Sequence, residues 1–124
     1  MLNLDTHILL ATAENSLHPA ERAALTRERR QGISAIVLWE VEILYRTERI
    51  PYGLDDDRLA GMVDSVTIWP ISVEVGLALR RLDFHADPAD ELIAATSLAH
   101  HVPLLTRDRR LRQSRLLRRL GLIV

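Results

Sequence analysis

The chain contains no cysteine and no lysine, and aromatic residues make up only 4% of it. Without cysteine it can build neither a disulfide framework nor a thiolate zinc site, a composition that fits a cytoplasmic protein. With so few aromatic side chains, the core must be assembled from Leu, Ile, Val and Ala. No apolar run is long enough to span a bilayer. The opening MLNLDTH carries no basic segment ahead of its apolar residues, so it reads as the first strand of a fold and not as a secretory signal.

The 124 residues are 48% hydrophobic, enough for one globular domain spanning residues 1–124 and too many for a disordered chain. The net charge of −1 conceals an uneven distribution. All 16 basic residues are arginine, and seven of them fall between Arg107 and Arg119, where Asp108 is the only acid. A near-neutral chain with one basic stretch is suited to binding a polyanion locally.

Short apolar strands are expected at Met1 to Leu4, Gly32 to Ser34, Val66 to Trp69 and Pro103 to Thr106, with another at Leu122 to Val124. Helices are expected over Thr6 to Ala13, Pro19 to Arg30, Ala35 to Thr47, Asp55 to Asp64, Ser72 to Arg81 and Asp87 to His100. Asp87 is placed as the cap of the last helix, with Pro88 at its first position. Strands alternating with helices imply a three-layer α/β/α sandwich around a parallel sheet of about four or five strands.

In such sheets ligands bind beyond the carboxyl ends of the strands. Asp5 follows the first strand and Asp108 follows Pro103 to Thr106. Glu40 and Asp90 sit on helices that can reach the same edge. The helical neighbours of Glu40 are Ile36, Val37, Ile43 and Leu44, all apolar, so its carboxylate lies on an inward face and needs a cation, a proton or a strong donor. A partly exposed Glu at a groove edge would satisfy the same periodicity. Glu42, four residues before Arg46, reads as half of a surface ion pair.

Each acid alone has an ordinary explanation: Asp5 and Asp90 suit helix starts, and Asp108 suits a turn among arginines. Four acids aimed at one edge do not. Clustered carboxylates repel and call for a cation. Oxygen ligands without His or Cys select Mg²⁺ or Mn²⁺, whose chemistry on phosphodiesters is hydrolysis. His7, His18, His85, His100 and His101 form no convincing metal set.

The segments MLNLDTHILL, ISAIVLWEVEIL and DPADELIAATSLAHHVPLLTRD, in that order, resemble the PIN-domain family, and in particular its VapC ribonuclease toxins. The resemblance covers nearly the whole chain. It implies that Asp5, Glu40, Asp90 and Asp108 bind Mg²⁺ or Mn²⁺ and support endonucleolytic RNA cleavage; in-line attack by a metal-activated water would leave 5′-phosphate and 3′-hydroxyl ends. It places Thr106 as a hydroxyl accompanying the last Asp and Ser34 near the start of the Glu40 helix, where an N-cap role is equally good. Asp87 is structural in this reading. An antitoxin partner of the VapB type and a homodimer are also implied.

Receiver domains and haloacid-dehalogenase-like phosphatases also place an Asp after the first strand, but both use a lysine. The second family needs a further acid where His7 stands. No glycine-rich phosphate loop or Gly-x-Ser-x-Gly elbow is present. Two alternatives stay open beside the toxin: an RNA-processing nuclease of the same fold, and a non-catalytic module that binds RNA or protein. Arg107, Arg109, Arg110 and Arg112 are candidates for RNA phosphate contacts, and a solvated basic face explains any one of them equally well.

Overall fold

Residues 1–124 are all described in the computed structural model. Along the chain run β1 (Leu2–Leu4), α1 (Thr6–Ala13), α2 (Pro19–Arg27), β2 (Gln31–Ser34), α3 (Ala35–Arg46) and α4 (Asp57–Ser65). Then follow β3 (Thr67–Trp69), α5 (Val73–Leu79), α6 (Pro88–His100), β4 (Leu104–Leu105), α7 (Arg109–Arg112) and α8 (Arg115–Arg119). The four strands form one parallel sheet in the order β3-β2-β1-β4, flanked by helices. Asn3 is in register with Gly32 on one side and Leu104 on the other.

The connections β1 to β2 and β2 to β3 step in one direction across the sheet, and β3 to β4 steps back past β1. The reversal therefore falls between β1 and β4, where diverging connections open a crevice at the carboxyl ends of the strands. Asp5 and Asp108 leave the sheet on either side of that reversal. Helix α1 packs on α4, and α5 on α6, as right-handed crossovers predict: the two connections that step one way share a face, and the one that steps back covers the other. The core is a cluster of 21 buried Leu, Ile, Val and Ala residues, none aromatic. No helix is long and apolar enough to cross a membrane.

Several expected boundaries shift for local reasons. Helix α2 stops at Arg27, and β2 begins already at Gln31, so Glu28 to Arg30 turn the chain into the strand. Helix α4 starts at Asp57 because the side chain of Asp56 accepts a hydrogen bond from the Leu59 N–H, 3.1 Å. Asp87 occupies the cap position of α6 but makes no capping hydrogen bond. Leu122 to Val124 forms a single parallel bridge, Ile123 opposite Leu104, and not a full strand. The arginine-rich segment folds into the short helices α7 and α8, held by the buried side chains of Leu111 and Leu117. Glu42 is exposed but does not pair with Arg46; it accepts a hydrogen bond from the backbone N–H of Leu54 at 2.7 Å.

Gly32 marks the tightest approach in the sheet. A Cβ there would stand 2.6 Å from the Trp69 ring, which is buried and stacked on His100 with centroids 5.5 Å apart. Since the ring is packed, Gly32→Ala should cost about 1–3 kcal/mol by overpacking and lower Tm in a thermal melt. An unchanged Tm would show that Trp69 moves aside freely.

Candidate active site at the carboxyl edge of the sheet

Asp5 is 5% exposed, and both its oxygens are engaged. Oδ1 accepts from the Ile8 N–H at 2.9 Å, which caps α1, and Oδ2 accepts from the Thr106 hydroxyl. Burial pushes the Asp5 carboxyl above the usual carboxylate range; the bonds from Thr106 and Ile8, then His7, pull it down, and the charge of Asp108 pushes it up again. Thr106, placed by β4, also accepts from the Asp108 N–H at 3.0 Å. One hydroxyl thus ties the ends of β1 and β4 together. Asp108 caps α7 by accepting from the Leu111 N–H at 3.1 Å, so it is more than a turn acid balancing arginines.

Glu40 lies on α3, half-buried, and its Oε1 accepts from the Thr6 hydroxyl. Helix α3 starts at Ser34, which is fully buried and accepts from the Ile36 N–H at 3.2 Å. Asp90 lies in the first turn of α6, half-buried, with no hydrogen-bond donor on either oxygen. Burial, then the charges of Glu40, Asp108, Asp87 and Asp5, push its carboxyl up to about 6. Asp90 therefore feels all three other predicted acids. Helix α6 is anchored to β1 by Asn3, whose buried amide donates to the Ile93 carbonyl at 3.0 Å and to Ser97 Oγ at 2.9 Å.

Thr6 and Asn3 were not singled out by the sequence reading. A hydroxyl beside Asp5 and one polar residue inside the apolar run Met1–Leu4 were the available signals. The four acids share one edge and one electrostatic field, but no three carboxylates or histidines converge into a ready-made ion cage. What they offer is a set of hard oxygens in which Asp90 has no partner at all. That set suits Mg²⁺ or Mn²⁺, which take carboxylates together with retained waters. A cleft of about 500 Å³ lined by Asp87, Asp90, Asp108, Arg109, Arg110 and Gln113 opens at this point.

The four candidate arginines separate into two kinds. Arg107 grips Glu21 on α2 with two bonds of 2.7 Å and also donates to the Ser16 carbonyl. Arg112 donates to the Thr106 and Val124 carbonyls, each at 3.1 Å. Both hold the Thr106-Arg107-Asp108 loop in place. Only Arg109 and Arg110 line the cleft beside Asp90 and Asp108.

Comparison with known proteins identifies the family and the fold. The PIN domain profile matches residues 3–115. The chain belongs to the PIN domain family. It is 33% identical over 118 residues to Ribonuclease VapC22 of Mycobacterium tuberculosis, covering 90% of each sequence. Among solved structures its fold is similar to VapBC2 from Rickettsia felis bound to a promoter DNA fragment, with a TM-score of 0.70 at 18% identity, over 100% of this chain and 96% of the other. A toxin–antitoxin complex from Klebsiella pneumoniae has a TM-score of 0.63 at 24% identity, over 87% of both chains. DNA-bound VapBC from Salmonella typhimurium has 0.64 at 18% identity, over 98% and 93%. At these identities the structural likenesses speak for the fold.

The Arg107 clamp yields a pH signature. The guanidinium beside Glu21, which is only 8% exposed, lowers that carboxyl from 4.5 to about 2. Folding lowers this pKa, so the clamp contributes full stability above the unfolded value of 4.5 and loses it as pH falls towards 2. The Tm gap between wild type and Glu21→Gln should be widest near neutral pH and close between pH 4.5 and 2. A gap independent of pH would contradict the ion pair.

Proposed function

We propose that the chain is a Mg²⁺- or Mn²⁺-dependent endoribonuclease acting as the toxin of a toxin–antitoxin pair. The observation that carries this reading is Asp90: a half-buried carboxylate without a donor, lining a cleft with Asp87 and Asp108 and within the field of Glu40 and Asp5. A binder of polyanions has no use for such a charge cluster unless a cation sits among the acids. The ribonuclease name of the 33%-identical relative, which spans 90% of the chain, supports the substrate.

Asp5, Glu40, Asp90 and Asp108 would hold the ion, directly or through water. Bound there, a divalent ion supplies a water nucleophile at neutral pH and offsets charge on the phosphodiester. The protein's own part is orientation. Thr106 and the Ile8 N–H fix both oxygens of Asp5, Thr6 fixes one oxygen of Glu40, and the Leu111 N–H fixes one of Asp108. Asn3 keeps α6, and with it Asp90, at the same edge. In-line attack of water on phosphorus with departure of the 3′ oxygen gives 5′-phosphate and 3′-hydroxyl ends. A VapB-type antitoxin covering the acidic groove, a homodimer and a cytoplasmic site of action complete the reading; the toxin–antitoxin complexes of like fold support the first of these.

Purified wild type, freed of any antitoxin, should cut a mixed RNA pool in Mg²⁺ or Mn²⁺ and stop in EDTA. Asp5→Asn should fall to background. Thr106→Val, which removes the hydroxyl on Asp5, should lose about 10–100-fold. Absence of metal-dependent cutting by folded wild type would favour the binding-module reading instead.

A further inference from the structure

We infer that Arg109 and Arg110 form a clamp for the sugar–phosphate backbone of single-stranded RNA, set against the acidic half of the same cleft; the inference rests on the ribonuclease reading. In the sequence seven arginines of this segment look equivalent. In the structure they are not. Arg107 is taken by Glu21 and Ser16, and Arg112 by the carbonyls of Thr106 and Val124. Arg110 has one arm fixed, its NH1 donating to the His85 carbonyl at 2.7 Å. Arg109 makes no side-chain hydrogen bond and no ion pair, although Asp87, Asp90 and Asp108 line the cleft with it.

Two guanidinium groups that share a cleft with three carboxylates and still leave them unpaired are available to an outside anion. The cleft, about 500 Å³, has Ala86 as the single apolar residue in its wall. Its two halves suit a polyanion differently. The acids repel phosphate unless a cation lies between, whereas the arginines attract it through bidentate forks. A strand whose scissile phosphate sits by the acids therefore presents a neighbouring phosphate to Arg109 and Arg110. Arg110, steadied by His85, gives direction, and Arg109 follows the backbone. These contacts read no base, so they position the RNA and leave sequence choice to other residues.

The test measures binding of a short mixed-sequence single-stranded RNA to the non-cutting Asp5→Asn protein with Mg²⁺ held constant, across about 50–300 mM KCl. Each lost phosphate contact on single strands lowers the slope of log K against log salt by about 0.7. Arg109→Ala/Arg110→Ala should thus lower it by about 1.4, while Arg118→Ala/Arg119→Ala, changing two exposed arginines of α8, should leave it unchanged. Arg109→Lys/Arg110→Lys should keep the slope but weaken binding, because charge is retained and the fork is lost. An unchanged slope in the alanine pair, or an equal fall in the α8 pair, would overturn the clamp. That outcome with RNA still bound and cut by wild type would leave the ribonuclease reading intact. No RNA binding by the Asp5→Asn protein, together with no cutting by wild type, would end both.

Discussion

A carboxylate kept at 5% exposure at the end of β1 is the constraint around which this edge of the molecule is organised. Burying Asp5 is tolerable only because each of its oxygens has a donor, and those donors come from different parts of the chain. The Ile8 N–H can serve only if α1 starts directly after the strand. The Thr106 hydroxyl can serve only if β4 lies beside β1. Thr106 then receives the Asp108 N–H, and Asp108 caps α7. A single desolvated acid thereby links β1, α1, β4 and α7.

Magnitudes explain why Asp5 and Asp90 are treated so differently. A hydrogen bond to a charged group contributes about 1.5–3 kcal/mol, and two unit charges near 6 Å at an effective dielectric of 20 interact by about 3 kcal/mol. Two donors on Asp5 can thus offset the repulsion of a neighbour. Asp90 has none; burial, and after it the charges of Glu40, Asp108, Asp87 and Asp5, push its carboxyl up to about 6. On the proposed reading, a divalent cation relieves that charge. The neighbouring loop is held by the Arg107–Glu21 pair and by Arg112.

The elements, and the position of the four acids at one edge of the sheet, were legible because they depend on local signals. Apolar runs of strand length, Asp-Pro at a helix start and an acid on the apolar face of the Glu40 helix can all be read within a turn or two of chain. The sheet order could not be read this way, since Asn3 opposite Gly32 and Leu104 is a relation across about 30 and 100 residues. The same holds for Thr6 on Glu40, Asn3 on Ser97 and Arg107 on Glu21. Asn3 could have been noticed as a polar residue in a buried strand. The Glu42–Arg46 pairing was suggested by correct helical spacing and failed because the backbone N–H of Leu54 offered Glu42 a closer partner. Among the arginines, sequence gives equal charge to all, and only the fold separates those that bind the chain to itself from those that face the cleft.

On the proposed reading, Asp5, Glu40, Asp90 and Asp108 act as one site for a divalent cation. The most direct measurement is Mn²⁺ binding to the RNA-free protein, followed by electron paramagnetic resonance. Wild type and Glu42→Gln, whose carboxylate lies outside the cluster, should bind alike, and Asp90→Asn should bind at least about tenfold more weakly. Equal binding by Asp90→Asn, or no binding by folded wild type, would contradict the account.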